Sequence, residues 1–201
     1  MKRNYVERIS SMVTNRKIIA KAILGFMILT GVSEAKEIPI GEPKQIWEAG
    51  LEVAAVYLQP IEMEPAVHQG RQLYLPREKS DIHLEADIHA LRGSKQGFRE
   101  DEWVPGLSIR YTLRNLDTGQ EQSGILHPMV ANDGPHYGVN VKMTGLGNYK
   151  LTYLIEAPGR LAVEAPVQQG FGRVSNVTSW WKPFQVEWTF KYFGPGKKGG
   201  Y

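Results

Sequence analysis

The residues best suited to chemistry stand in the run Asp81-Ile82-His83-Leu84-Glu85-Ala86-Asp87-Ile88-His89. In an extended chain alternate side chains point to opposite faces. Ile82, Leu84, Ala86 and Ile88 then share one face, and His83, Glu85, Asp87 and His89 share the other, ~6.6–6.8 Å apart in succession. Imidazoles and carboxylates gathered on one strand face are the chemistry of a transition-metal or proton-transfer site. The competing reading is a solvated face, which exposed antiparallel strands carry routinely. A second run, His127-Pro128-Met129-Val130-Ala131-Asn132-Asp133-Gly134-Pro135-His136-Tyr137, adds a thioether. Met129 and His136 bracket a six-residue turn, a spacing that sets them opposite each other in a hairpin. His127 shares the side of Met129 if the strand continues through Pro128. Asp133 sits at the turn, where its carboxylate either reaches a metal or closes an Asx-turn. The bland alternative places Met129 in the core and leaves Asp-Gly-Pro as a turn; Met143 is assigned to the core. Imidazole serves Cu, Zn, Fe and Ni, a carboxylate adds hard character, and a thioether favours Cu(I). A site that holds both Cu(II) and Cu(I) uses all three types.

The elements that must position these residues are strands. Leu107, Ile109, Tyr111 and Leu113 alternate with Ser108, Arg110, Thr112 and Arg114, and the same period of two runs through Tyr149, Leu151, Tyr153 and Ile155. It returns at Phe184, Val186, Trp188, Phe190 and Tyr192, with Trp188 assigned to the core. Further strands are expected over 51–59, 81–90, 122–129 and 137–143. About seven antiparallel strands, separated by Asp117-Thr118-Gly119, Asn132-Asp133-Gly134-Pro135 and Leu146-Gly147-Asn148, predict an all-β, immunoglobulin-like antiparallel β-sandwich. A closed barrel is the alternative. Residues 60–80 and 157–179 are rich in Pro and Gly and read as long connections, the kind that often carry function. Residues 194–201 read as a disordered tail.

The chemistry is placed outside the cytoplasm. Lys2, Arg3, Arg8, Arg16, Lys17 and Lys21 precede an apolar run over 22–32 that is shorter than the ~20 residues a span needs. Ser33-Glu34-Ala35 completes a secretory signal, so residues 1–35 are expected to be a signal peptide and 36–201 one metal-binding domain. Of 24 basic and 21 acidic residues, six and two lie in the first 35, which leaves 18 against 19 and a formal net charge of −1. A nucleic-acid or anionic-membrane partner thereby loses its support, and no stable membrane insertion is expected. The chain has no cysteine, which removes thiolate catalysis, cysteine zinc sites and the blue-copper site.

These residues carry a resemblance. Ala55-Val56-Tyr57-Leu58-Gln59-Pro60-Ile61-Glu62-Met63-Glu64-Pro65, the 81–90 run, 129–137, Asn140-Val141-Lys142-Met143, Gly147-Asn148-Tyr149-Lys150 and Trp181-Lys182-Pro183-Phe184 are similar to the periplasmic high-affinity iron-transport proteins. That family consists of copper-binding, immunoglobulin-like dimers associated with an inner-membrane iron permease. The resemblance implies a homodimer in the periplasm that binds copper and iron. It puts His83, Met129 and His136 on the family's copper ligands, Glu85 on a carboxylate of the same or a neighbouring site, and Asp133 on an acidic residue beside it. The family's further histidine, expected near Pro166, has no counterpart, because residues 157–179 contain no histidine. His127 is the candidate replacement, with Glu164, Gln168 or water as alternatives.

The leading expectation is therefore an iron-uptake component supplying a permease. A copper-sequestration or copper-delivery protein is second. A metal-free binding sandwich, using Trp180 and Trp181, is third. Nothing in the sequence establishes turnover.

Overall fold

The computed structural model describes residues 36–158 and 176–194. The expected signal segment, and Glu164, Pro166 and Gln168, lie outside the described residues. Seven long strands account for most of the fold: β3 (Leu51–Leu58), β6 (Ile82–Ala90), β7 (Ser108–Asn115), β8 (Glu121–Ala131), β9 (Gly134–Val141), β10 (Gly147–Glu156) and β11 (Phe184–Tyr192). They correspond to the seven strands expected from the sequence. Two short edge pieces, β1 (Ile38–Pro39) and β2 (Lys44–Ile46), pair with β3. The connection over 60–80 is more ordered than its composition suggests, with a small hairpin of β4 (Val67–His68) and β5 (Arg71–Gln72) and a 3-10 turn at Arg77–Lys79.

All pairings are antiparallel, in the order β1-β3-β6-β9-β8-β7-β10-β11. The path curls into a sandwich because β8 serves both layers. Its first half, Glu121 to Leu126, pairs with β7, and its second half, His127 to Ala131, pairs with β9. A strand that changes sheets makes the corner of such a fold. Pro128 is tolerated in the second half because β7 ends its pairing at Leu126, leaving that edge of β8 without a strand among the described residues.

Between the layers, Leu84 and Ile88 of β6 join Leu113, Tyr149, Leu151, Tyr153 and Ile155 in one apolar cluster. Burying each such side chain stabilises by roughly 1.5–3 kcal/mol. Tyr153 ties the layers, its Oη donating to the Glu85 carbonyl at 2.8 Å, and Tyr137 Oη fixes the β6–β7 connection by donating to the Val104 carbonyl at 2.8 Å. Met143 and Trp188 lie in this core, as expected. Trp181 packs against its rim and Trp180 stacks on Phe98, so both indoles are engaged within the fold.

Candidate metal centre

β6 is buried on both faces through its first half, while Asp87 and His89 further along are half-buried. Ile82, Leu84, Ala86 and Ile88 face the core, and on the reverse side His83 is fully buried with Glu85 only 4% exposed. Facing residues of an antiparallel pair project to the same side. The register sets His83 opposite Asn140 and Glu85 opposite Gly138, then His127 opposite Gly138 and Met129 opposite His136. One sheet face thus collects side chains from β6, β9 and β8. Residues 60–80 fold over part of it. Asn140 bonds to the backbone of Ile61 and Leu75, Met63 is buried, and the Tyr74 ring meets His127 at 5.1 Å. A solvated face is excluded for His83, Glu85 and His136.

These three converge. Glu85 Oε1 lies 3.5 Å from His83 Nε2 and 3.4 Å from His136 Nε2, and the three donor atoms fall within 4.8 Å of one another. Both Nε2 atoms are buried without a hydrogen-bond partner. An unsatisfied buried polar atom costs about 1–3 kcal/mol, so two of them aimed at one point describe a site built for something else. Space exists there because residue 138 is glycine. A Cβ at Gly138 would collide with His83 Nε2 and would stand 3.1 Å from Met129 Sδ, so the thioether borders the same gap. Donor separations near 3.4 Å suit an ion ~2.0–2.2 Å from each of two nitrogens and one oxygen. The residues present fit a transition-metal ion.

Electrostatics agree. Burial holds the His83 imidazole down to about 4, against a favourable hydrogen bond to Asn140. Burial likewise lowers His136, although the Asp87 and Asp133 charges oppose this. Burial raises the Glu85 carboxyl to about 8, helped by the charges of Asp87, Glu37 and Asp133. At neutral pH the contacts of Glu85 with the two histidines therefore join mostly uncharged groups and are not ion pairs. Neutral imidazole is the form that ligates.

The other expected residues lie at the margin. Asp133 sits in the two-residue turn between β8 and β9, which is tighter than the six-residue turn expected, because Pro135 pairs with Val130 inside the hairpin. It lines a cavity of about 200 Å³ with Glu37, Asp87, His89 and His136. Burial, with the neighbouring Asp87 and Asp133 carboxyls, raises the pKa of Glu37. His127 occupies the site face but stays outside the three-residue cluster, with its ring on Tyr74. Sequence reasoning missed Asn140 and Gly138 as parts of this site, and Glu37 at its mouth. Only the β6–β9 register reveals the first two.

Comparison with known proteins gives a consistent picture. A copper-bound variant of FetP from uropathogenic Escherichia coli strain F11 is 52% identical, covering 79% of this chain and 99% of that one, with a TM-score of 0.67. Copper-reconstituted P19 from Campylobacter jejuni is 48% identical, covering 81% and 99%, with a TM-score of 0.69. Among curated sequences, a UPF0423 protein of Brucella abortus is 48% identical over 84% of this chain and 88% of its own length. The 34 kDa membrane antigen of Treponema pallidum is 37% identical over 82% and 78%. Residues 34–194 match the family model described as Fe2+ transport protein. The chain belongs to the Fe2+ transport protein family.

Proposed function

We propose that this is a periplasmic metal-binding protein of high-affinity iron uptake, which holds copper and iron and supplies iron to an inner-membrane permease. The observation that carries the reading is the convergence of two partnerless buried imidazole nitrogens and Glu85 on the gap left by Gly138, in a chain of the Fe2+ transport family. His83, His136 and Glu85 are the ligands, with Met129 as a soft fourth donor. His127 and Asp133 stand next to them as the further candidates. Copper-bound FetP and P19 support copper as one cargo, and the family description supports iron. A cation favours the ionised carboxyl, so binding at pH 7 releases the Glu85 proton.

Export through residues 1–35 and assembly as a homodimer belong to the same proposal. FetP has been expressed in the periplasm, and no helix among the described residues is long and apolar enough to cross a membrane. Anomalous diffraction at the copper and iron edges from metal-soaked crystals tests the ligand set directly. Density for neither metal at Glu85 overturns it. Light scattering that shows only monomer, with and without copper, overturns the dimer.

Met129 favours a second reading, copper sequestration or delivery, because a thioether selects Cu(I). Growth of a deletion strain separates the two. A defect under iron starvation supports iron uptake, and a defect confined to copper excess supports sequestration.

A further inference from the structure

We propose that Asn140 is the positioning residue of the metal centre. It fixes His83 in the tautomer that ligates through Nε2, and it latches residues 61–75 over that ligand, so that metal capture and the order of this segment are coupled. The inference rests on the metal reading above and extends it to a residue that touches no metal.

The argument is one of hydrogen-bond valence. Asn140 is buried on β9, directly across from His83. Its Nδ2 donates to the Ile61 carbonyl at 2.8 Å and to the Leu75 carbonyl at 3.0 Å. Carbonyls only accept, so the amide cannot be turned round, and both Nδ2 protons are used. Its Oδ1 accepts from the Ile61 N–H at 3.3 Å and lies 3.0 Å from His83 Nδ1. An acceptor facing Nδ1 requires a proton there. In a neutral imidazole the lone pair is then left on Nε2, the partnerless atom that points at Glu85 and the Gly138 gap. Metal-bound histidines characteristically donate their other ring N–H in this way. Here the acceptor has a second duty, because the same amide makes three bonds to the covering segment. One side chain thus holds both the His83 ring and the covering segment.

The test uses protein isolated after expression of the full chain, with Cu(II) as probe. In the metal-free wild type, nitrogen NMR should show His83 protonated at Nδ1 and bare at Nε2; the opposite tautomer overturns the proposal. Asn140→Leu should mix the tautomers, lower Cu(II) affinity roughly 10- to 100-fold, and speed amide exchange across residues 61–75. Unchanged affinity or an unmixed tautomer overturns it. Asn140→Asp separates the two duties, keeping an acceptor for Nδ1–H while losing both donors to the segment. It should retain the tautomer and the copper EPR signature but exchange faster over 61–75. Cu(II) should protect that segment further in the wild type and not in Asn140→Asp; equal protection overturns the coupling. If Asn140→Leu fails to fold, the wild-type tautomer and Asn140→Asp still decide. The tautomer and exchange of the metal-free protein need no metal, so their failure is distinct from failure of the metal reading, which His83→Ala binding Cu(II) unchanged would show.

Discussion

Through its first half β6 buries both faces and treats them oppositely. Toward the core, Ile82, Leu84, Ala86 and Ile88 are packed against apolar side chains of the facing layer. On the reverse, His83 and Glu85 are equally hidden from water, yet His83 Nε2 and His136 Nε2 find no partner and Glu85 is driven toward its neutral form. Burial therefore does not distinguish a core from a site. What distinguishes them is convergence: unpartnered buried atoms occur in the core too, as at Tyr192 Oη, but at the site two unpartnered nitrogens and a carboxylate oxygen fall within 4.8 Å of one another.

Breaking the polar face should produce the largest effect on binding. Replacing both His83 and His136 by Ala should lower Cu(II) affinity by more than the roughly 10- to 100-fold typical of outer-shell partners, read by isothermal titration. Unchanged affinity would place the site elsewhere. Breaking the apolar face should do the reverse. Leu84→Ala should cost about 2–5 kcal/mol of stability, measured by denaturant unfolding, while the folded fraction keeps its metal affinity.

Gly138→Ala sharpens the contrast further. Its Cβ fills the gap beside His83 and Met129, so metal binding should be lost with a smaller stability penalty of about 1–3 kcal/mol. Retained Cu(II) binding would show that the gap is not the seat.

The pH dependence of the metal-free protein separates the faces without a truncation. The folded pKa of Glu85 is raised from 4.5 to about 8, so the folded state binds more protons than the unfolded one between those values. Stability falls as pH rises through this window. His83 has the opposite sign: its pKa is lowered from 6.5 to about 4, so stability falls as pH drops from about 6.5 to 4. From pH 6.5 to 8 the Glu85 effect dominates, and Glu85→Gln should flatten the slope of melting temperature there. An unaltered slope would mean that Glu85 is already ionised in the folded protein.

The smallest effect is expected at His127, which shares the face but rests against Tyr74. His127→Ala should reduce copper nitrogen coupling in EPR modestly, and far less than His136→Ala. Unaltered coupling and affinity would remove it from the ligand set.

Much of this was legible in the sequence, for identifiable reasons. Period-two alternation is plain in β6, β7, β10 and β11, because each has one face in a common core, and turn signals bound the remaining long strands. His83, Glu85, Met129 and His136 drew attention by residue type alone. The burial of the polar face was not legible, since it depends on residues 60–80 returning to Asn140, a contact that spans 79 positions at Ile61. Gly138 and Asn140 were silent for a related reason. Both fall within the strand expected over 137–143, but their roles exist only opposite Glu85 and His83 across the ladder. Pro135 misled in the other direction, reading as part of a turn while pairing within β9.

The gap at Gly138 also bears on how such a protein is lost or kept over time. Every single-base change at a glycine codon that alters the amino acid, short of a stop, adds a Cβ. At this position the addition meets His83, which its hydrogen bond to Asn140 holds in place. Inheritance therefore has no gradual route through residue 138. If the proposed seat is correct, the first step away from glycine crowds it. On that reading, a descendant carrying alanine or serine here would look like a family member in almost every other position and would have given up the metal.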